Sequence, residues 1–487
     1  MSTPNPTATF AQAFIPILVF LCLLLFGLFI NPVILNNQML PVEVLVMLSL
    51  TFTCLYLMRM GHSWSDIQKN ITKKIGETVP VIMILIAVGV LIGSWMASGT
   101  IPMLLYYGIS LVSPDWIYVF SFAICILFSL LTGTSWGSAG TIGVVMIGIT
   151  EVFGAEVVIT AGAVVGGSFF GDKLSPLSDT TNIAALATDI PVEEHIRSML
   201  YTTVPAATLA AIVYIVLSPV FWGDLQNSAA ELNMIALTLA DLKSIFQFHI
   251  LLLLPLVIVI YGSVTKKPIF LTLLFSSFTA MSLALMFQSF TISEVFQSLN
   301  TGFSISMVDP GIALESDVLS ILNRGGLYNL KEGVYICLLV FMFIGALQTI
   351  NAIEEVIKGM MGRIATRRQL IVTTLSTTWL ASLIIANQYA TTFLVAETFK
   401  DKFDELRVKR KVLSRSIEDA GTMMENLMPW TPSGLFMFST LGVSSLSYAP
   451  YQFMSLFNIA IAYFFAMTGI ACFYRKNSDE NSSEASI

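Results

Sequence analysis

Apolar runs of about 20 residues, the length needed to cross a hydrocarbon core of about 30 Å, recur along this chain from Phe10–Ile30 to Tyr451–Tyr474. Such a chain has too little polar surface to dissolve as a globule: of its 487 residues 55% are hydrophobic and only 11% charged. Lipid must be its solvent. The expected fold class is an all-α polytopic membrane protein with no large soluble domain.

The formal net charge of -7 is spread thinly, and no basic stripe is interleaved with aromatics, so nucleic-acid binding has no support. Cys22, Cys54, Cys125, Cys337 and Cys472 lie singly inside apolar segments and read as small core residues rather than disulfides or metal ligands. Met1–Thr9 lacks Lys and Arg and no small-residue cleavage site follows the first run, which reads as a retained span.

Positive residues cluster at Arg59–Lys74, at Lys266 and Lys267, at Arg363–Arg368, at Lys400–Arg415 and at Arg475 and Lys476. By the positive-inside rule these face the cytoplasm. The stretches Gly99–Asp115, Gly223–Asp241, Glu294–Glu332 and Gly442–Pro450 are poor in Lys and Arg and belong outside, which leaves both termini inside. Residues 1–60 are expected to form leading helices, 61–222 a first repeat, 223–290 an outer loop and connecting helices, and 291–474 a second repeat. Residues 475–487, rich in Ser, Glu and Asn, are expected to be a disordered cytoplasmic tail.

The repeat rests on Val81–Trp95 leading into Gly99-Thr100-Ile101-Pro102 and Tyr335–Thr349 leading into Ala352-Ile353-Glu354, at an offset of about 252. The first unit starts at a positive segment and the second in an acidic outer loop, so the two enter from opposite sides. An inverted repeat of this kind is the plan of secondary transporters, which set their sites near the midplane on interrupted helices. Broken helices and re-entrant hairpins are therefore expected.

Two breaks suit hairpin tips. Thr134 and Ser135 lie in Leu131–Thr141, a small and hydroxyl stretch inside an apolar run, and Asn387 and Gln388 occupy the matching place in Ala386–Thr392. Irregular backbone at that depth must line protein or water. The simpler reading of Gly137, Gly140 and Gly143 is close helix packing.

The strongest signal is Gly166–Asn182. Pro176 removes a backbone donor and frees nearby carbonyls, and local helicity would turn Asp172, Ser175, Asp179 and Asn182 to one side. At an offset of 247 Asp172 falls on Asp419, Ser175 on Thr422 and Asp179 on Asn426, with Glu425 beside them. Carboxylate, hydroxyl, amide and carbonyl oxygens suit a hard cation, and a carboxylate in such a place lets proton and cation compete for one charge. Carboxylates in a span cost about 2.5 to 3.5 kcal/mol each on insertion scales. The bland alternative is an ion pair, Asp172 with Lys173 or Asp419 with Arg415. Lys173 itself is open to three readings: compensating charge, anion contact, or a snorkelling cation. Glu193-Glu194-His195 reads as an acidic helix start.

The run Gly171-Asp172-Lys173-Leu174-Ser175-Pro176-Leu177-Ser178-Asp179-Thr180 resembles the hallmark of the NhaC family of bacterial Na+/H+ antiporters. Thr134-Ser135-Trp136-Gly137 and Gly99–Pro102 also fit, and the resemblance covers about Phe10–Tyr474. It implies an exchanger of Na+ for H+ in the bacterial cytoplasmic membrane, with Na+ at a subset of Asp172, Asp179, Asp419 and Asn426. It also implies no cofactor, and partners limited to the bilayer and the transported species; a homodimer is left open. The same family includes a malate/lactate exchanger coupled to Na+ and H+, which the hallmark run does not separate. An intramembrane enzyme is disfavoured, because Gly171-Asp172 lacks a Gly-x-Gly-Asp context and Glu193-Glu194-His195 lacks a second His. A passive channel is disfavoured by the repeat and the carboxylates.

Overall fold

The computed structural model describes residues 8–222, 229–307, 322–361 and 364–474. The expected tail at 475–487 and much of the acidic outer stretch lie outside the described residues. Among these residues the chain is helical throughout, its one β-bridge joining Val408 to Tyr474. Eight helices are long and apolar enough to cross a membrane, or up to 10 if each of two bent pairs is one span. Many large apolar side chains, Leu55, Leu111, Phe275 and Met286 among them, are exposed, as lipid-facing residues must be.

Local sequence explains where helices begin. Thr9 with Gln12, Thr291 with Glu294 and Thr366 with Gln369 each form a capping box, satisfying two backbone donors at once. Inside the spans, buried hydroxyls bond back to the preceding turn: Ser49 to the Leu45 carbonyl at 2.8 Å, Thr378 to that of Thr374 at 2.7 Å. Each such hydroxyl is satisfied within its own helix. The 35-residue helix Trp64–Ser98 runs about 52 Å, so its charged first turns extend past the hydrocarbon.

The leading pair Phe10–Ile34 and Val42–Arg59 is followed by one order of elements, used twice. Trp64–Ser98 and Thr100–Leu111 precede a hairpin, Ile117–Thr132 with Ser135–Val152. Next come a broken helix, Val157–Leu174 with Asp179–Ala187, and the long Val192–Trp222. Later, Lys331–Gln348 and Ala352–Met361 precede the hairpin Arg367–Ile385 with Gln388–Glu405. A second broken helix, Arg410–Glu425 with Pro432–Leu441, and then Phe453–Thr468 complete the set.

The hairpins enter from opposite ends. At the start of the first broken helix the Glu156 backbone N–H donates to Tyr118 Oη at 3.0 Å, at the open end of the first hairpin. Beyond its far end, Asp189 pairs with Lys400 and Arg410, both at 2.8 Å, at the open end of the second. Hydrogen bonding by Lys400, with Arg410 adding its charge, holds the Asp189 carboxyl below the ordinary aspartate range.

Val157–Leu174 lies against Ile117–Thr132 almost backbone to backbone. A Cβ on Gly167 would sit 2.4 Å from the Phe122 carbonyl oxygen, and one on Gly171 2.4 Å from Leu130 N. Ser129 adds a hydroxyl bond to the Ser168 carbonyl across the same seam. Small residues permit this approach, and it fixes Asp172 beside the first hairpin's tip.

Candidate functional site

Both hairpin tips share one backbone device. Gly133 is left-handed (φ 70°) and Thr134 extended, with its side chain accepting from Gly137 N. Ala386 is left-handed (φ 47°) and Asn387 extended, with its side chain accepting from Ala390 N. The broken helices restart in a related way: Ser178 caps Thr181 N, and Thr431 caps Gly434 N. Gly133 to Ala386, Thr134 to Asn387 and Ser178 to Thr431 all give an offset of 253. In this register Asp172 matches Glu425, not Asp419 as the side-chain pattern implied. Turn geometry sets the register; the second broken helix also carries a π-helical turn, Glu418–Thr422, which adds a residue.

A left-handed alanine carries about 1 kcal/mol or more of strain that glycine avoids. Ala386→Gly is therefore expected to keep the tip and raise thermal stability slightly, measured as the melting midpoint in detergent. At Gly133 the reverse change is barred twice, because an added Cβ would also lie 2.6 Å from that of Leu177.

The tips and both restart points surround one cavity of about 590 Å³. Thr134, Ser135, Asp172, Asp179, Asn387, Gln388, Thr422 and Glu425 line it, so eight of the twelve oxygen-bearing candidates are brought together. Asp172 is 6% exposed. One carboxylate oxygen accepts from Ser135 Oγ at 2.6 Å and the other from Ser178 Oγ at 2.5 Å. Asp179 opens the restarted helix and is exposed to the cavity. Glu425 is buried and hydrogen-bonded by Ser433. Gln388 donates to Thr422 Oγ1 at 2.6 Å, and Thr422 donates to Glu418 at 2.9 Å.

The remaining candidates lie off the cavity wall. Helix ends at Leu174 and resumes at Asp179, so the four oxygens from Asp172 to Asn182 do not share a helical face. Ser175 bonds to the Leu130 carbonyl at 3.1 Å, and Asn182 to those of Pro176 and Ser178. Asn426 is enclosed by Gln452 and Ser455. Asp419 is paired with Lys173 at 2.7 Å, behind the wall. His195 is fully buried against Ser414, further in than a helix cap.

Sequence reasoning passed over several residues at or beside the wall. Ser178, buried just off the wall where it bonds Asp172, carries the signal of a Ser immediately before a helix. Trp136 stacks on Phe436 with ring centroids 4.5 Å apart, joining the first tip to the second broken helix. Its counterpart in register, Tyr389, lines the same cavity. Lys266 and Lys267 stand there too, neither in an ion pair among the described residues.

The profile of the Na+/H+ antiporter family matches residues 167–470, from within the first broken helix to just past Phe453–Thr468. The chain belongs to that family. An uncharacterized Na+/H+ antiporter of Haemophilus influenzae is 38% identical over 95% of this chain and 96% of its own. The Na+/H+ antiporter NhaC of Alkalihalophilus pseudofirmus is 32% identical over 92% and 95%. The malate-2H+/Na+-lactate antiporter of Bacillus subtilis is also 32% identical, over 90% and 92%. As a member of this antiporter family the protein is a multi-pass membrane transporter and not an enzyme. The resemblance carried by Gly171–Thr180 and Thr134–Gly137 pointed to this family, and those two segments supply much of the first half's share of the antiporter's cavity.

Proposed function

We propose that this antiporter exchanges Na+ for H+ by alternating access, and that the two species compete at Asp172, Asp179 and Glu425. The observation that carries the reading is the convergence of Asp172, Asp179 and Glu425 with the hydroxyls of Ser135, Thr134 and Thr422 on one cavity between oppositely directed hairpins. A cation fits that oxygen set, and each carboxylate can trade it for a proton without change in net charge. Residues 61–222 and 291–474 act as inverted repeats that rock against one another around the site. Lys266 and Lys267 mark the cavity's mouth as cytoplasmic by the positive-inside rule, so the conformation is open inward, in the bacterial cytoplasmic membrane.

A second reading, exchange of a small organic acid together with Na+ and H+, is favoured by a different observation. Four helix N-termini, at Ser135, Asp179, Gln388 and Pro432, point at the cavity with Lys266 and Lys267. N-termini and free ammonium groups attract carboxylates, and the cavity's size is that of a small-molecule pocket.

Proteoliposomes with an imposed Na+ gradient separate the two. Proton movement without any organic acid is the expected result. An absolute requirement for added malate or lactate would overturn the first reading in favour of the second.

A further inference from the structure

Lys173 follows Asp172 in sequence, yet the two side chains part. Asp172 faces the cavity, whereas Lys173, 0% exposed, runs the other way to Asp419 Oδ1 at 2.7 Å and Asn458 Oδ1 at 3.2 Å. That one Asp419 oxygen accepts two more bonds, from Thr202 Oγ1 at 3.0 Å and Asn458 Nδ2 at 2.9 Å. Its other oxygen lies 3.9 Å from Arg415 Nε and has no hydrogen-bond partner among the described residues. Three separate helices thus hold one carboxylate in place, and that carboxylate holds one ammonium.

From the position next to Asp172 a lysine side chain, about 6 Å long and able to bend toward polar surroundings, is within reach of the cavity. We propose that Asp419 is a positioning residue, not a Na+ ligand: it keeps the Lys173 ammonium away from Asp172, so that this neighbouring lysine does not occupy the carboxylate ahead of Na+. Without Asp419 the lysine is a buried charge left with two sets of carboxylates: Glu418, which already acts on it and bonds Thr422 of the cavity wall, and those of the cavity itself. There it competes with Na+ as a tethered cation. This inference rests on the cavity being the cation site.

Na+-driven proton movement in proteoliposomes, read as KM for Na+ and kcat separately, tests it on three variants of the full chain. Asp419→Asn is expected to raise the Na+ KM by about tenfold or more, Lys173→Met to leave it within about threefold, and Lys173→Met/Asp419→Asn to return it to within about threefold. A Na+ ligand behaves otherwise: removing Asp419 would weaken Na+ whether or not the lysine is present. A double variant as weak as Asp419→Asn therefore overturns the proposal. Should Asp419→Asn fail to assemble, Lys173→Met against the double variant decides alone, equal KM supporting the proposal and a much higher KM in the double variant overturning it. Asp172→Asn run in parallel keeps the two readings apart. Unchanged transport there would remove the cavity as the cation site, while the Lys173→Met comparison still reports whether Asp419 binds Na+.

Discussion

Asp172→Asn is expected to lower Na+-driven proton movement by at least about two orders of magnitude, the scale set by removing one partner of a buried charge interaction. The side chain keeps its shape, so the loss comes from charge and donor pattern. In the wild-type chain both carboxylate oxygens accept, one from Ser135 and one from Ser178. An amide offers one acceptor and one donor group, so either hydroxyl then meets an N–H it must turn from. Because Ser135 opens the hairpin's second helix and Ser178 caps the restarted one, the change also loosens the two N-termini that frame the site. Asp179→Asn removes a charge of the same sign but one exposed to the cavity and tied to neither cap. It is expected to raise the Na+ requirement with a smaller loss of maximal rate. The check is the rate against Na+ concentration at two pH values, for reconstituted protein shown by size-exclusion profile to be folded. If Asp172→Asn kept the full rate, the central cation site would have to lie elsewhere.

The membrane class and the hairpin tips were legible in the sequence for physical reasons. A run of 20 apolar residues has one stable fate in lipid, and a polar interruption such as Ala386–Thr392 inside such a run has to line a cavity or be buried in protein. The broken helix was legible at Pro176. The register between the halves was not. Matching side chains put Asp172 on Asp419, whereas caps and left-handed residues put it on Glu425, because backbone geometry at a turn constrains position more tightly than an oxygen-bearing side chain does. A π-helical turn is invisible to periodicity, since it adds a residue without altering composition. Lys173 shows the same limit from another side. Its sequence neighbour lines the cavity, but its own direction is decided by Asp419, Thr202 and Asn458, none of them near it in the chain. Lys266 and Lys267 read only as a cytoplasmic marker until the fold brought them to the cavity.

Gly171→Ala is expected to damage both stability and transport, although it adds one methyl group and no charge. An alanine Cβ there would lie 2.4 Å from Leu130 N and 2.5 Å from the Ser129 carbonyl carbon, and both are backbone atoms that no rotamer change can move. The helices must separate along the seam. Overpacking of this kind costs about 1–3 kcal/mol, and more when backbone must shift. The same separation lengthens the 2.6 Å bond from Ser135 to Asp172, one residue away, so position and stability fail together. A lower melting midpoint and a transport rate reduced about tenfold or more are the expected results. Gly76→Ala is the control: that glycine is helical and an added Cβ would have nothing within 4 Å, so better helix propensity should leave stability equal or higher by about 0.5–1 kcal/mol. Equal behaviour of the two alanine variants would mean that the glycine seam does not set the position of Asp172.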